Sequence, residues 1–561
     1  MFKSITLSTK VCFIIFILMA PGCNHKAEKK ASSAKEKINA IIDINMSLID
    51  IYGMLNGDGN SDERTWKTPV NNWVYSDITS DDAYKGSTPN DHKEALKIET
   101  YDWHPYNDYF NSKWLSLYKS IAKCNKTLQM IAKTQGLDKE TGEKLAAEAR
   151  FLRAHFHFEA KNLWNNVPWI DENSDQGTTG NQKDIWPIIE SDFRFAIEHL
   201  PDSQLAPGRV TSWAAKAYLA KTYIFQKNNK TAKPILDDII HNGPFSLENC
   251  YFDNFSKAAM KNNESVFNAE YVVDDENTQA YVRNLEETTE ALEGGPKEYC
   301  AFHQPSQNLI NAFKTSPDGL PLPASFNDAD VKNDEGIASD KHFTPYKGNL
   351  DPRIDYTIGR RGLPFLDYGT HPGMDWVSDQ SFGGPYLMKK YILSHADKNS
   401  ATMSSSWAEG ATSKTYRVIR FAHILLWRAE IAVDELDLDL ALALVNKLRD
   451  RAKSGCYLLN EKNQPAANYM IELYENFPDN EFATEAVRFE TRLEFGMEGN
   501  RFFNLRRWNI LEETISNYLK IEKQKRPYLE NANFDSEKHE YFPIPAAQLA
   551  KNPKLKQNTG Y

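Results

Sequence analysis

Apolar residues recur every three or four positions through the two ends of this chain, and the pattern lapses in its middle. From Trp114 to Ile131 they fall at Leu117, Tyr118, Ile121, Cys124 and Leu128, the stripe of one buried helix face. The run "GEKLAAEARFLRAHFHFEAKNLW" repeats the stripe with Leu145, Ala149, Leu152, Phe156, Ala160 and Leu163, and Asn165 to Pro168 predicts its end. Two later segments echo each other. Ala220 stands to Ala232 as Ala429 stands to Ala441, and each pair spans a helix, a short polar turn and a second helix with an apolar face. Alanine where two helices cross closely is a mark of tetratricopeptide-type hairpins, here separated by a long insertion.

That insertion, residues 243–414, is rich in Gly, Pro, Asn and Asp, as in "TSPDGLPLPASFNDAD" and "YKGNLDPRIDYTIGRRGLPFLDYGTHPGMDW". Long irregular segments carried by a helical scaffold are where binding concentrates. The organisation read from the pattern is an N-terminal helical part (37–242), the insertion (243–414) and a C-terminal helical part (415–561), forming one body over 37–561.

One C-terminal stretch, "EGNRFFNLRRW", interleaves Phe502, Phe503, Leu505 and Trp508 with Arg501, Arg506 and Arg507, as a single-strand nucleic-acid platform does. Charge argues against that use. The chain carries 77 acidic residues against 66 basic ones, a formal net charge of −11, whereas capture of a polyphosphate needs a cationic field. The packing reading is preferred. Residues 485–497 form a helix with Phe489, Leu493 and Met497 on one face and Arg488, Glu490, Arg492 and Glu494 available for ion pairs. Gly499 fits a helix stop, and the arginines fork onto carboxylates or helix-end carbonyls.

The first residues are a targeting signal. Lys3 and Lys10 precede the apolar run Val11 to Met19, too short for a bilayer span of about 20 residues, and "APGC" follows. Residues 1–22 therefore read as a lipoprotein signal peptide with Cys23 as the lipidated residue, and 23–36 as a flexible polar tether to a membrane. Apart from Cys12 and Cys23, the cysteines are Cys124, Cys250, Cys300 and Cys456, with no paired zinc spacing. Isolated buried thiols are the default expectation, and export permits disulfides without indicating which residues pair.

Catalytic motifs are missing: no G-x-S-x-G, H-E-x-x-H, P-loop or G-x-G-x-x-G occurs. "DGNSDE" gives Asp58, Asn60 and Asp62 the alternate spacing of a calcium loop, but Glu63 replaces its glycine and Pro69 its bidentate glutamate, so a polar turn is expected. Neither a metal nor a cofactor is implied.

"EARFLRAHFHFEAKNLWNNVPWI", "FAHILLWRAEIAVDEL" with "ALALVNKLRDRA", "RFETRLEFGMEGNRFFNLRRW" and the terminal "YFPIPAAQLAKNPKLKQNTGY" together resemble the SusD/RagB family. "YSDITSDDAY", "RVTSWAAKAYLAKTY", "NAFKTSPDGLPL", "DPRIDYTI" and "GPYLMKKY" extend the likeness in order over nearly the whole chain. The family comprises outer-membrane lipoproteins of Bacteroidota that partner TonB-dependent transporters. The resemblance implies a mostly α fold of four tetratricopeptide-like helix pairs supporting a loop-rich ligand face. It also implies a non-catalytic protein at the outer membrane, facing the exterior, that captures a nutrient, above all an oligosaccharide, and delivers it to a SusC-like transporter.

Sugars offer flat C–H faces rimmed by hydroxyls, which aromatic platforms and Asp, Asn or Arg side chains recognise. The candidates are aromatics in aperiodic segments: Trp66, Trp73 and Trp103 first, then Phe365, Tyr368 and Trp376 from the insertion. Asp81, Arg353 and Asp375 are the polar partners, although for Arg353, within the family-like "DPR", a structural ion pair is the preferred reading. The same apparatus could serve peptides. A surface hydrolase would need a carboxylate constellation, and a passive helical-repeat scaffold would bind proteins but no small ligand.

Overall fold

The computed structural model describes residues 25–56, 67–175, 177–256, 262–270, 302–392, 394, 396, 402–404, 409–412 and 415–561. The signal peptide, Cys23, the Asp58–Glu63 loop, Trp66 and Cys300 lie outside the described residues.

The helical expectation holds at both ends. After α1 (His25–Gly53) come α2 (Asp108–Lys133), α3 (Lys139–Trp164), α4 (Trp186–His199), α5 (Ser212–Phe225) and α6 (Asn229–Asn242). Beyond the insertion lie α7 (Phe421–Asp434), α8 (Leu438–Ser454), α9 (Asn480–Phe495), α10 (Arg501–Arg507) and α11 (Leu511–Lys525). Local chemistry fixes the starts. Asn107, Asp138, Thr211, Asn228, Asp437 and Asp479 each accept a backbone N–H of the first turn of α2, α3, α5, α6, α8 and α9. One expectation fails here. Residues 25–36, read as a flexible tether, belong to α1, because their Ala, Lys and Glu are strong helix formers.

The helices stack as tetratricopeptide-like hairpins, α2 on α3, α3 on α4, and so on to α6, and the echo noted in the sequence closes the gap. The α5–α6 hairpin meets the α7–α8 hairpin through α6 and α7, with Ala220, Ala232, Ala429 and Ala441 all fully buried. Ion pairs Lys233–Glu435 (2.8 Å) and Arg428–Asp237 (2.6 Å) fasten the junction.

Strands are short and antiparallel: β1 (Ala83–Gly86) with β3 (Phe302–Pro305), β2 (Ser265–Ala269) with β8 (Tyr416–Arg420), β4 (Ile358–Gly359) with β5 (Leu387–Met388), and β6 (Thr402–Ser404) with β7 (Glu409–Thr412). The β2–β8 pair closes the insertion at its base. A disulfide joins Cys250 to Cys456 with Cα atoms 5.4 Å apart, correcting the isolated-thiol expectation for those two, while Cys124 is a free buried thiol.

"EGNRFFNLRRW" is structural, as its charge context predicts. Arg501 forks onto Asp81, Arg507 pairs with Glu430, and Arg506 donates to the Asn162 carbonyl in the last turn of α3 (2.8 Å). Gly499 has a different task from the one expected. Helix α9 already ends at Phe495, and Gly499 (φ +73°) lies so close to the backbone of Asn71 that a Cβ would stand 1.4 Å from its carbonyl oxygen. Its N–H is held by the Asp77 carboxylate at 2.9 Å.

Candidate functional site: an insertion face and an adjoining cleft

Of the first candidate group, Trp73 and Trp103 are interior. Trp103 is fully buried, donates its indole N–H to the Ile98 carbonyl (2.8 Å) and packs on Phe542 at 4.3 Å. Trp73 is 4% exposed and stacks on His303. An indole removes a large apolar area from water, so these two rings serve the core and not a platform. The aromatic that "WHPYNDYF" does present to solvent is Tyr106, 87% exposed.

Arg353 is interior too. It donates to both oxygens of Asp351 (3.0 and 2.8 Å) and to Glu490 (2.6 Å) and Glu494 (3.2 Å). Arg420 and Arg451 share Glu494 and Glu264, Arg449 pairs with Glu490, and Lys390 pairs with Glu498. Burial opposes ionisation of Glu494, but Arg451, Arg420 and Arg353 outweigh it and hold that carboxyl far below its ordinary range. This network rivets the insertion to α8 and α9.

Asp81 is buried and bound by Arg501 and Arg492. Burial pushes its carboxyl up, yet the two arginines prevail and hold it at about 2; adjacent Asp82, where burial wins and Asp81 and Asp77 add their charge, rises to about 6. Asp81 nevertheless lies on the floor of an open cleft of about 710 Å³ between α9, α11 and residues 323–327.

The second group does converge. The β4–β5 connection brings Phe365, Tyr368 and Trp376 together, with ring centroids 6.4 Å (Phe365–Tyr368) and 5.8 Å (Phe365–Trp376) apart. Phe365 is fully buried beneath the others, correcting its expected exposure; an apolar ring with Lys389 Nζ 5.6 Å over its centroid is the pedestal of this loop. Trp376 is buried as well, at 8% exposure, again correcting its expected exposure, whereas Tyr368 is half-buried and Asp375 is exposed. His371, against Trp376 at 5.1 Å, is driven down to about 3 by burial, with Lys389 and Arg361 adding to the effect, so it is a neutral packing group.

Arg361 organises this face, and sequence reasoning missed it. Its buried guanidinium donates to the carbonyls of Ile337 (2.9 Å), Ala338 (3.1 Å), Ser339 (2.9 Å) and Lys341 (2.7 Å). Ser339 Oγ in turn accepts the Asp375 N–H at 3.0 Å. The loop so held presents Phe343, half-buried between Arg361 (5.4 Å) and Lys332 (5.1 Å), beside exposed Asp340, Lys341 and His342. The signal was present in "SDKHFTPYKGN", an aromatic in a polar run with no apolar period. Partly exposed rings with carboxylates, amines and an imidazole at their rim suit a polyhydroxylated ligand. Among the described residues no group of three or more His, Cys, Asp or Glu is placed to hold a metal ion.

Two family profiles match the chain: "SusD family" over residues 263–561 and "Starch-binding associating with outer membrane" over residues 28–224. SusD-like protein P2 of Formosa agariphila is 22% identical over 573 residues, covering 98% of this chain and 99% of that protein. A SusD-like protein of Bacteroides ovatus is 23% identical over 73% of this chain and 68% of its own length. A SusD superfamily structure from Bacteroides vulgatus superposes with a TM-score of 0.69 at 21% identity, covering 93% of this chain and 99% of that one. Surface glycan-binding protein A of Bacteroides thetaiotaomicron, solved with laminarihexaose, superposes with a TM-score of 0.66 at 18% identity, covering 92% and 98%. These structures share its fold.

Proposed function

The chain belongs to the SusD family of non-catalytic carbohydrate-binding proteins, and on that premise we propose that it captures an oligosaccharide and delivers it to a SusC-like TonB-dependent transporter. The observation that carries the reading is the insertion face, where Arg361 fixes the loop of Phe343 against the loop of Tyr368, Asp375 and Trp376. Preformed geometry matters because ordering a loop at the moment of binding subtracts from affinity. The rings take sugar C–H faces, and Asp340, Lys341, His342 and Asp375 reach hydroxyls.

Cys23 carries the lipid that holds the protein at the outer membrane, on the cell exterior, and α1 begins two positions later. Tethering beside the transporter raises effective concentration, so modest affinity suffices. The test is affinity purification of the full chain from outer membranes, with glycan and peptide panels applied to the isolated complex. Copurification of a β-barrel transporter, with glycan bound and not cut, is expected. A chain recovered alone, or a complex that takes only peptides, overturns the corresponding half of the proposal.

A further inference from the structure

The cleft above Asp81 has a finished floor and unfinished walls. On the floor, Arg492 and Arg501 are consumed by Asp81 and Asp82, and Asn308 accepts from Arg492 at 2.8 Å. On the walls, α9 contributes Glu481 and Glu485 and α11 contributes Glu513. Among the described residues, these three carboxylates make no ion pair and accept no side-chain hydrogen bond. Glu481 and Glu485 are one helical turn apart on the same face, a like-charge pair that destabilises a helix. Burial, and then Glu481, shifts Glu485 upward.

The apolar part of the lining mixes the rings of Phe326, Phe489 and Tyr518 with Pro323, Ile510 and Ile521. Phe326, half-buried, packs edge-on against Phe489 (5.6 Å), and the Arg492 guanidinium lies 5.4 Å over its ring. Among the described residues, the one cationic wall residue outside the floor cluster, Arg488, stacks on Trp508 at 5.5 Å. A void of about 710 Å³ lies within the range that holds small ligands, roughly 300–1,000 Å³. Its chemistry is a partly exposed ring beside solvent-facing carboxylates that give the walls excess negative charge. A ligand that fits must be rich in donors, present C–H faces, and carry no anion.

We propose that this cleft is a saccharide-binding subsite apart from the insertion face, selective for neutral and amino sugars and closed to uronic and sulfated ones. The proposal rests on the carbohydrate-binding reading above and adds a place and a selectivity to it. Helix α11 joins the two sites. Its C-terminal end is bound to the loop that leads to Ser339 through Arg526–Glu335 (2.6 Å) and Lys525–Asp330 (2.9 Å). At 1.5 Å per residue, Glu513 and Arg526 lie about 20 Å apart along the helix.

The test titrates the protein lacking residues 1–23 with cellohexaose, a chitosan pentamer and a hexagalacturonate, by calorimetry. The variants are Phe326→Ala, Glu485→Gln with Glu513→Gln, and Phe343→Ala on the insertion face, each checked for unchanged melting. The expected result is binding of the neutral and amino oligomers, weakened about tenfold or more by Phe326→Ala. The double glutamine variant should weaken the chitosan oligomer more than cellohexaose, and the galacturonate should not compete. Affinities that fall with Phe343→Ala but are indifferent to both cleft variants overturn the subsite and leave the carbohydrate-binding reading standing. Galacturonate binding that depends on Phe326 overturns the charge selectivity. Failure of all three oligomers to bind the unaltered protein overturns the subsite and its selectivity, while the carbohydrate-binding reading is decided by the wider glycan panel.

Discussion

Arg501 grips both carboxylate oxygens of Asp81, at 2.8 and 3.0 Å, joining residues 420 positions apart in a buried two-pronged pair. One end of the pair lies between the short helix Trp73–Ser76 and β1, and the other begins α10. The aromatic–arginine stretch that resembles a nucleic-acid platform is thus a clasp between the ends of the chain, and it also shapes the floor of the cleft. Because Asp81 would keep Arg492 but lose two charge-assisted hydrogen bonds, Arg501→Ala should destabilise the protein by about 1–3 kcal/mol. Arg501→Lys, which keeps charge but loses the fork, should cost less. Thermal or urea unfolding of the three proteins checks the order.

Core and platform aromatics should separate cleanly. Trp103→Ala empties a fully buried site and should lower stability by about 3–5 kcal/mol while leaving affinity per folded molecule unchanged. Tyr368→Ala, on a half-buried ring, should do the reverse, weakening glycan binding several-fold with little change in melting. Paired calorimetry and melting curves on the two variants decide it.

The Cys250–Cys456 disulfide closes a loop of sequence separation 206 around nearly all of the insertion. Cross-linking so long a loop restricts the unfolded chain, and its removal by Cys456→Ser should cost about 2–5 kcal/mol. Reductant should lower the melting temperature of the parent and not of the variant.

Glu99 predicts a pH dependence. Burial raises its carboxyl to about 7; the Tyr528 hydroxyl, the Lys85 N–H and the Lys85 charge offset only part of that. The folded protein therefore holds this proton more tightly than the unfolded chain does, whose ordinary value is 4.5. Its contribution to stability is fully present below pH 4.5 and is lost as pH rises through about 7. Glu99→Gln should flatten the fall in melting temperature between pH 5 and 8.

The helical frame was legible because burying one face of a helix forces a period, and α2, α3, α5, α6, α7 and α8 all follow it. The forks of Arg501 and Arg507 were legible because a guanidinium among buried aromatics needs a carboxylate. The candidate site was legible only in part. In an aperiodic segment, a ring that faces water and a ring that plugs the core have the same neighbours in sequence, so Trp73, Trp103 and Phe365 carried no sign of their burial. Tyr368, Asp375 and Trp376 were found together because the insertion is one chain segment. Arg361 and the cleft were hidden, since one depends on four loop carbonyls turning inward and the other on two helices standing apart.

The most direct test of the account titrates the protein lacking residues 1–23 against plant, host and fungal glycans, with each mixture assayed for shortened products. The account predicts saturable binding of an oligosaccharide that is recovered intact, weakened about tenfold or more by Phe343→Ala. Cleavage of the bound glycan, or binding indifferent to Phe343, would contradict it.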